Sequence, residues 1–271
     1  MSEVAARPKA SLVDRFLVFR QLLPHHVELG ISVSASTLVL LAWELAVRQG
    51  WMSSTFFPPP TLIASTMWAM VRDDALLWHA GVSILRVLAA FLLSLVLAVP
   101  IGILMSSYRV VGAALEPIVD FIRYLPVPAL VPLSIIWLGV GEETKIFLLW
   151  LGTFFQLVLL VADDMRRVPH EYIEVATTLG ARPWQVLTDV GFRAMLPGLV
   201  DSCRITLGWC WTYLIIAEIV AASSGLGFVI WAARRYMQTP RVMAGVVLIG
   251  LIGLITDQAL RQLHRRLFRY L

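Results

Sequence analysis

The sequence predicts an all-α polytopic membrane protein with about six transmembrane helices. Hydrophobic residues make up 59% of the 271, and the mean hydropathy is +0.79, well above the roughly 45–50% apolar content of soluble chains. Only 15% of residues are charged, and the basic ones stand in short clusters between apolar runs, so the net charge of +4 reads as a topology signal rather than a nucleic-acid surface. The apolar runs themselves recur at lengths near the roughly 20 residues that one crossing needs. Cys203 and Cys210 sit inside one of these runs, so they read as small buried hydrophobes, not as a disulfide or metal framework.

Residues 1–75 are expected to hold an N-terminal leader, the first span and an external loop. The leader, Met1 to Glu28, carries Arg7, Lys9, Arg15 and Arg20 with a partly amphipathic patch from Phe16 to Leu23, as an interfacial segment would. The first span runs from Gly30 to about Val47, longer than the apolar core of a signal peptide and without a small-residue cleavage site. Pro58, Pro59 and Pro60 break any helix in the following loop, which has room for one surface helix from Leu62 to Val71. Trp51, Trp68 and Trp78 suit an interfacial belt.

A core is expected over residues 76–260. Its first span, about Ala80 to Met105, has Arg86 near its outer end and a kink at Pro100. Ser106 to Leu125 reads as a polar connection. Pro126, Pro128 and Pro132 then give the third span, Val127 to about Val140, an irregular entry, which membranes tolerate where the backbone lines a cavity. A fourth span covers about Ile146 to Val161, a fifth about Leu199 to Ala221, and a sixth about Val242 to Ile255. Gly225, Gly227, Arg234 and Arg235 lie in the loop before the sixth, and 261–271 is a basic tail. With both termini in the cytoplasm, the inner segments collect Arg109, Arg123, Arg166, Arg167, Arg182, Arg193 and the basic ends. The outside keeps Arg48, Arg72, Lys145, Arg234, Arg235 and Arg241, so the positive-inside bias favours that orientation.

The long polar interruption of the second half, Glu171 to Pro197, holds the most informative pattern. Tyr172, Val175, Ala176 and Leu179 recur at i, i+3, i+4 and i+7, the stripe of a short amphipathic helix. Gly180 stops it, and Pro183 suits the first turn of a second short helix with Trp184, Leu187 and Gly191 on its apolar side. Two short helices about a glycine corner make a protruding knob.

Glu174, Val175, Ala176, Gly180, Leu196 and Pro197 resemble the EAA loop of the membrane-spanning subunits of type I ABC importers. Val175 stands where that family usually has its first alanine, and Phe192 with Arg193 replace the usual first Leu-Pro. Ser83, Arg86, Val87 and Leu88, the segment 126–141, Ala217 with Glu218, and the turn Gly225, Leu226, Gly227 are similar to the nitrate, sulfonate and taurine branch. The resemblance implies a type I ABC importer permease fold whose knob is a cytoplasmic coupling helix, with Glu174, Ala176, Leu179, Gly180 and Pro197 as ATPase-coupling residues. It also implies a second copy of the chain, an external solute-binding protein, and ATP with Mg held by partner ATPase subunits in a bacterial inner membrane. The solute would be a small anion such as nitrate, a sulfonate, taurine or bicarbonate.

The residues add limits of their own. Lys9 and Lys145, the two lysines, lie outside any GxxxxGK[ST] loop, so the ATP site belongs to another chain. His25, His26, His79, His170 and His264 are scattered without metal-ligand spacing, and no nucleophile sits in a recognisable elbow, which argues against an enzyme. Charges inside spans are costly, which makes Arg204 and Glu218 candidates for a translocation pathway. Arg204 can equally pair with Asp201 three residues before it, while Glu218 faces another helix, the pore or the outer mouth. The alternative class is an ion-coupled carrier or channel using Glu44, Glu218 or Asp257, against which stands the lack of repeated halves.

Overall fold

The computed structural model describes residues 24–220 and 223–269, so the expected leader around Arg7 to Arg20 lies outside the described residues. The chain divides into two compact units, residues 1–60 and 61–271. In the first, α1 (His25–Arg48) is apolar around most of its circumference and exposed along most of its length, as a lipid-facing helix is. Near its end Glu44 pairs with Arg48 at 2.7 Å, four residues on.

The second unit is helical throughout its regular structure. Helix α2 (Pro60–Asp73) is the expected surface helix, and α3 (Leu76–Ser107) is the long second span with Pro100 inside it. α4 (Arg109–Arg123) and α5 (Val127–Leu138) meet at a 99° bend. α6 (Glu142–Arg166) leads to α7 (His170–Thr178), then to the single turn α8 (Pro183–Gln185) and a π-helical turn over Val186–Gly191. α9 (Phe192–Val220), α10 (Leu226–Arg235) and α11 (Thr239–Leu267) complete the chain.

Three long helices make the core, and their contacts fix their directions. Ser94 of α3 meets Thr153 of α6 at 2.9 Å, and a Cβ added at Gly102 would lie 2.7 Å from the Val158 carbonyl and from Val161. α3 and α6 therefore run parallel and approach most closely over small residues, the usual way helices pack without a hydrophobic drive between them. α9 runs against both, since Ser202 near its start donates to Asp164 at 2.6 Å and Glu218 near its end meets α3. α11 returns along α9, with Trp211 Nε1 donating to Thr256 at 3.2 Å. Val87, Ala90, Leu148, Leu157, Val158, Val161 and Leu214 are fully buried where the three helices join.

Several sequence expectations change. Four described helices are long and apolar enough to cross a membrane, or five with the bent α4–α5 pair taken as one span, against the six expected. The expected fifth span is the 29-residue α9; its charged Asp201, Arg204 and Glu218 lower its hydropathy, and it falls outside that count. The stretch from Ser106 to Leu125 is not a polar connection but chiefly the amphipathic α4, whose apolar face the charge count hid. The stretch expected as the third span is the 12-residue α5, which reaches span length only together with α4: Pro126 drives Leu125 out of helical geometry, and Gly139 at φ 78° ends the helix. Helix α10 occupies what was read as a loop before the last span, which itself continues to Leu267 into the basic tail.

Candidate functional site

At one end of the bundle, beyond the last turn of α6, the knob forms as its residues require. Gly180 takes φ +81°, and an added Cβ would have nothing within 4 Å, so the glycine serves the backbone conformation and not packing. Thr177 and Thr178 turn their hydroxyls back onto the Ile173 and Glu174 carbonyls in the last turn of α7. Gln185 reaches back to the Arg182 amide at 2.9 Å and closes the start of α8.

The expected second helix is corrected to one α-turn followed by the π-turn. Gly191, at the end of that turn, is pressed against Met165 of α6, where a Cβ would collide with the methionine methyl. Tyr172, Val175, Leu179 and Trp184 are all exposed on the knob, Leu179 at 82%. Glu174 is exposed beside His170 at 3.4 Å, and Ala176 is half-buried. Glu174, Ala176, Leu179 and Gly180 thus share the knob, whereas Pro197 lies apart, half-buried inside α9. An apolar cavity of 250 Å³ joins Trp184, Leu187 and Phe192 to Val99, Pro100, Ile103 and Leu104 of α3, so the knob abuts the proline of that span.

At the opposite end sits a buried charge cluster. Arg86 of α3 is 3% exposed and commits all five of its N–H donors. Nε and Nη2 donate to Glu142 at 2.5 and 2.6 Å, Nη1 donates to Glu218 at 2.8 Å and to the Ser224 carbonyl at 2.8 Å, and Nη2 also reaches Ser224 Oγ at 2.7 Å. Glu218, 0% exposed, also accepts from Ser83 Oγ at 2.7 Å and from the Gly227 amide at 2.6 Å. Lys145 donates to Glu142 at 2.9 Å and to Ser223 at 3.4 Å. The Ser83 hydroxyl accepts the Leu226 amide at 2.8 Å, and His79 Nδ1 accepts that of Gly225 at 3.1 Å. Glycine is obligatory at 225: φ is +103°, and a Cβ would collide with the Glu218 carboxylate.

Of the openings left by the sequence, Glu218 therefore faces another helix, pairing with Arg86 in a cluster whose two cations, Arg86 and Lys145, balance two anions, Glu142 and Glu218. Sequence reasoning noticed Arg86 as a flanking charge and as part of the resemblance, and Lys145 as an outer charge outside any phosphate-binding loop, but did not join them to Glu142. The signal available was charge at corresponding ends of neighbouring spans beside the small residues Ser83, Ser223 and Ser224. Arg204 pairs with Asp201 at 2.9 Å as its spacing allowed, and also with Asp257 at 3.0 Å, so Asp257 is a partner of α9 and not simply an interfacial residue. Arg204 and Asp257 border an open cavity of 400 Å³ between α9 and α11. Among the described residues no group of three His, Cys, Asp or Glu could hold a metal ion.

Comparison with known proteins gives this geometry its context. Residues 98–269 match the family described as binding-protein-dependent transport system inner membrane component. The chain is 34% identical over 261 residues to the taurine transport system permease protein TauC of Escherichia coli, covering 94% of each chain. It is 33% identical to the putative aliphatic sulfonates transport permease protein SsuC of Bacillus subtilis, over 86% of this chain and 84% of the relative. A bicarbonate transport system permease protein, CmpB of Synechococcus elongatus, is 29% identical over 73% and 71%. Among solved structures, a chain of the MetNI methionine ABC transporter in an inward facing conformation superposes with TM-score 0.62 at 22% identity, over 74% of this chain and 97% of that one, which establishes a common fold. The all-helical bundle, the knob and these matches together mean that the chain belongs to the binding-protein-dependent transport system inner membrane components, the permease subunits of ABC transporters.

Proposed function

We propose that this permease serves an ATP-driven importer of a small anion, of the taurine, sulfonate, nitrate or bicarbonate class. The observation that carries the reading is the exposed apolar stripe of Tyr172, Val175, Leu179 and Trp184 on a glycine-cornered knob. An apolar patch held out on a short helix is built to be covered by a partner. The partner here is an ATPase subunit, with ATP and Mg on that chain, and Glu174, Ala176, Leu179 and Gly180 form the grip while Pro197 anchors the knob's return into α9. A second copy of the permease completes the path, and an external solute-binding protein delivers the anion. The support for the solute class is the transport that the relatives TauC, SsuC and CmpB are named for.

In the same reading the protein resides in the inner membrane with both termini and the knob in the cytoplasm, residues 76–260 forming the transport core. ATP binding draws paired knobs together, and the cavity between the knob and Pro100 of α3 supports transmission of that movement to the spans. Of the two pathway candidates, Glu218 shapes the path by fixing the turn at Gly225 without touching solute. Arg204 lines its wall and pairs with Asp201 and Asp257, which lessens their repulsion of an anion without cancelling it.

The test is uptake into membrane vesicles holding the permease with its ATPase and binding protein, using labelled taurine, an aliphatic sulfonate, nitrate and bicarbonate. ATP-dependent accumulation of one of them supports the reading. Accumulation driven by an ion gradient with no ATP would overturn it in favour of a secondary carrier.

A further inference from the structure

Pro126, itself exposed, breaks the chain between α4 and α5. α5 has 12 residues, so the break lies about 18 Å along its axis from the end where Leu138 turns back toward Glu142. Gln156, which faces the same opening, stands fourteen residues after Glu142 on α6, about 21 Å by the same rise. In a hydrocarbon core of about 30 Å both positions are near mid-depth. Backbone at that depth needs partners, yet Pro132 has no N–H to offer the Pro128 carbonyl within α5. Broken backbone inside a membrane occurs where protein buries it or water reaches it.

Water has room here. A cavity of 130 Å³ opens at the bend, and the polar groups that line it are Arg123, Gln156, Trp209 and Tyr213. Its wall is rigid: the rings of Trp209 and Tyr213 stack at 6.2 Å one turn apart on α9, and Gly152 lets Tyr213 approach so closely that a Cβ would lie 2.6 Å from the ring. Arg123 is 29% exposed. It is held by Asp120 at 3.0 Å and by the Tyr124 hydroxyl at 2.9 Å, the latter ring 4.5 Å beneath its guanidinium. Those contacts leave other guanidinium donors uncommitted. The contrast with the other openings is informative. The cavity at Arg204 is lined by that cation together with the carboxylate of Asp257, the cavity under Trp184 almost wholly by apolar side chains, and the cavity at the bend by a cation with no carboxylate in its lining.

We propose that the cavity at the α4–α5 break is an aqueous station for a small oxyanion at mid-membrane, with Arg123 as the residue that sets its charge selectivity. Trp209 and Tyr213 close one side, and Gln156 offers both a donor and an acceptor to an oxyanion or its hydrating water. The assignment rests on the permease reading given above.

Its test is chemical labelling of a Gln156→Cys variant in the complete transporter, with Cys203 and Cys210 changed to Ser. The probes are the anionic sulfonatoethyl and the cationic trimethylammonioethyl methanethiosulfonates, each rate normalised to that of a free thiol. Position 156 is expected to react with the anionic reagent about tenfold faster, the effect of one unit charge a few ångström away in a partly hydrated site. Arg123→Gln should abolish that preference and Arg123→Lys should retain it, which separates lost charge from lost fold. No reaction with either reagent, or a preference unchanged by Arg123→Gln, would overturn the station. The anion-import reading fails by a different result, the absence of uptake of every anion offered to vesicles of the parent protein.

Discussion

Replacing Glu218 by Gln removes one charge and nothing else from the buried cluster, so its consequence can be worked out atom by atom. The carboxylate accepts from Ser83 and Arg86 on Oε1 and from the Gly227 amide on Oε2. A glutamine oxygen can serve Oε1, but its NH2 then faces the Gly227 N–H, donor against donor. Breaking a fully buried ion pair costs about 3–5 kcal/mol. Here Glu142 still balances Arg86 through two short hydrogen bonds, so the cost falls to the bottom of that range or just below it, about 2–3 kcal/mol, in which one unsatisfied buried donor accounts for about 1–3. At roughly 2–4 °C per kcal/mol for a chain of this size, the thermal midpoint in detergent falls by about 5–10 °C. Glu142→Gln should lower it less, since that carboxylate is 52% exposed and water replaces what it loses. Combining Glu218→Gln with Arg86→Met should cost less than the two single changes added together, because the remaining partner is no longer a stranded charge. A midpoint for Glu218→Gln within a degree of the parent would refute the cluster as described.

Other perturbations separate packing from coupling. Gly180→Ala meets no steric neighbour but must hold φ +81°, so it should cost about 1 kcal/mol in thermal stability and leave a folded bundle with reduced ATP-dependent uptake. Gly102→Ala, a smaller change in sequence terms, should be the more destructive, because the Val158 carbonyl 2.7 Å away is backbone and cannot yield; a loss of about 2 kcal/mol or more in the melting midpoint checks it. Leu179→Asp, on a side chain 82% exposed, should leave the melting midpoint within the roughly ±0.5 kcal/mol usual for surface changes while abolishing ATP-dependent uptake.

Features set by local conformation were legible in the sequence. Gly180 marked the corner because the positive φ it adopts is a property of one residue, and the stripe from Tyr172 to Leu179 follows helical periodicity alone. The prolines at 126, 128 and 132 announced an irregular entry, and a 99° bend with a cavity beside it is what they give. Features set by distant partners were not legible. The close approach of Gly191 to Met165 comes from another helix, and the pairing of Arg86 with Glu218 joins residues 132 apart in the chain. The reading of Ser106 to Leu125 as a connection failed for another reason: counting charges ignores which face they occupy, and α4 keeps Arg109, Glu116, Asp120 and Arg123 while presenting an apolar side to its neighbours. Arg204 had its first partner, Asp201, within reach of sequence spacing, whereas its second, Asp257, comes from another helix.

The central claim is that the knob exists to be held by an ATPase. Its most direct measurement is mild-detergent purification of the tagged permease, expressed together with its neighbouring genes, and mass spectrometry of what accompanies it. The account predicts a P-loop ATPase in the parent preparation, its loss with Leu179→Asp, and an unchanged melting midpoint of the permease itself. A permease recovered without any ATPase that still transports in ATP-free liposomes would contradict it.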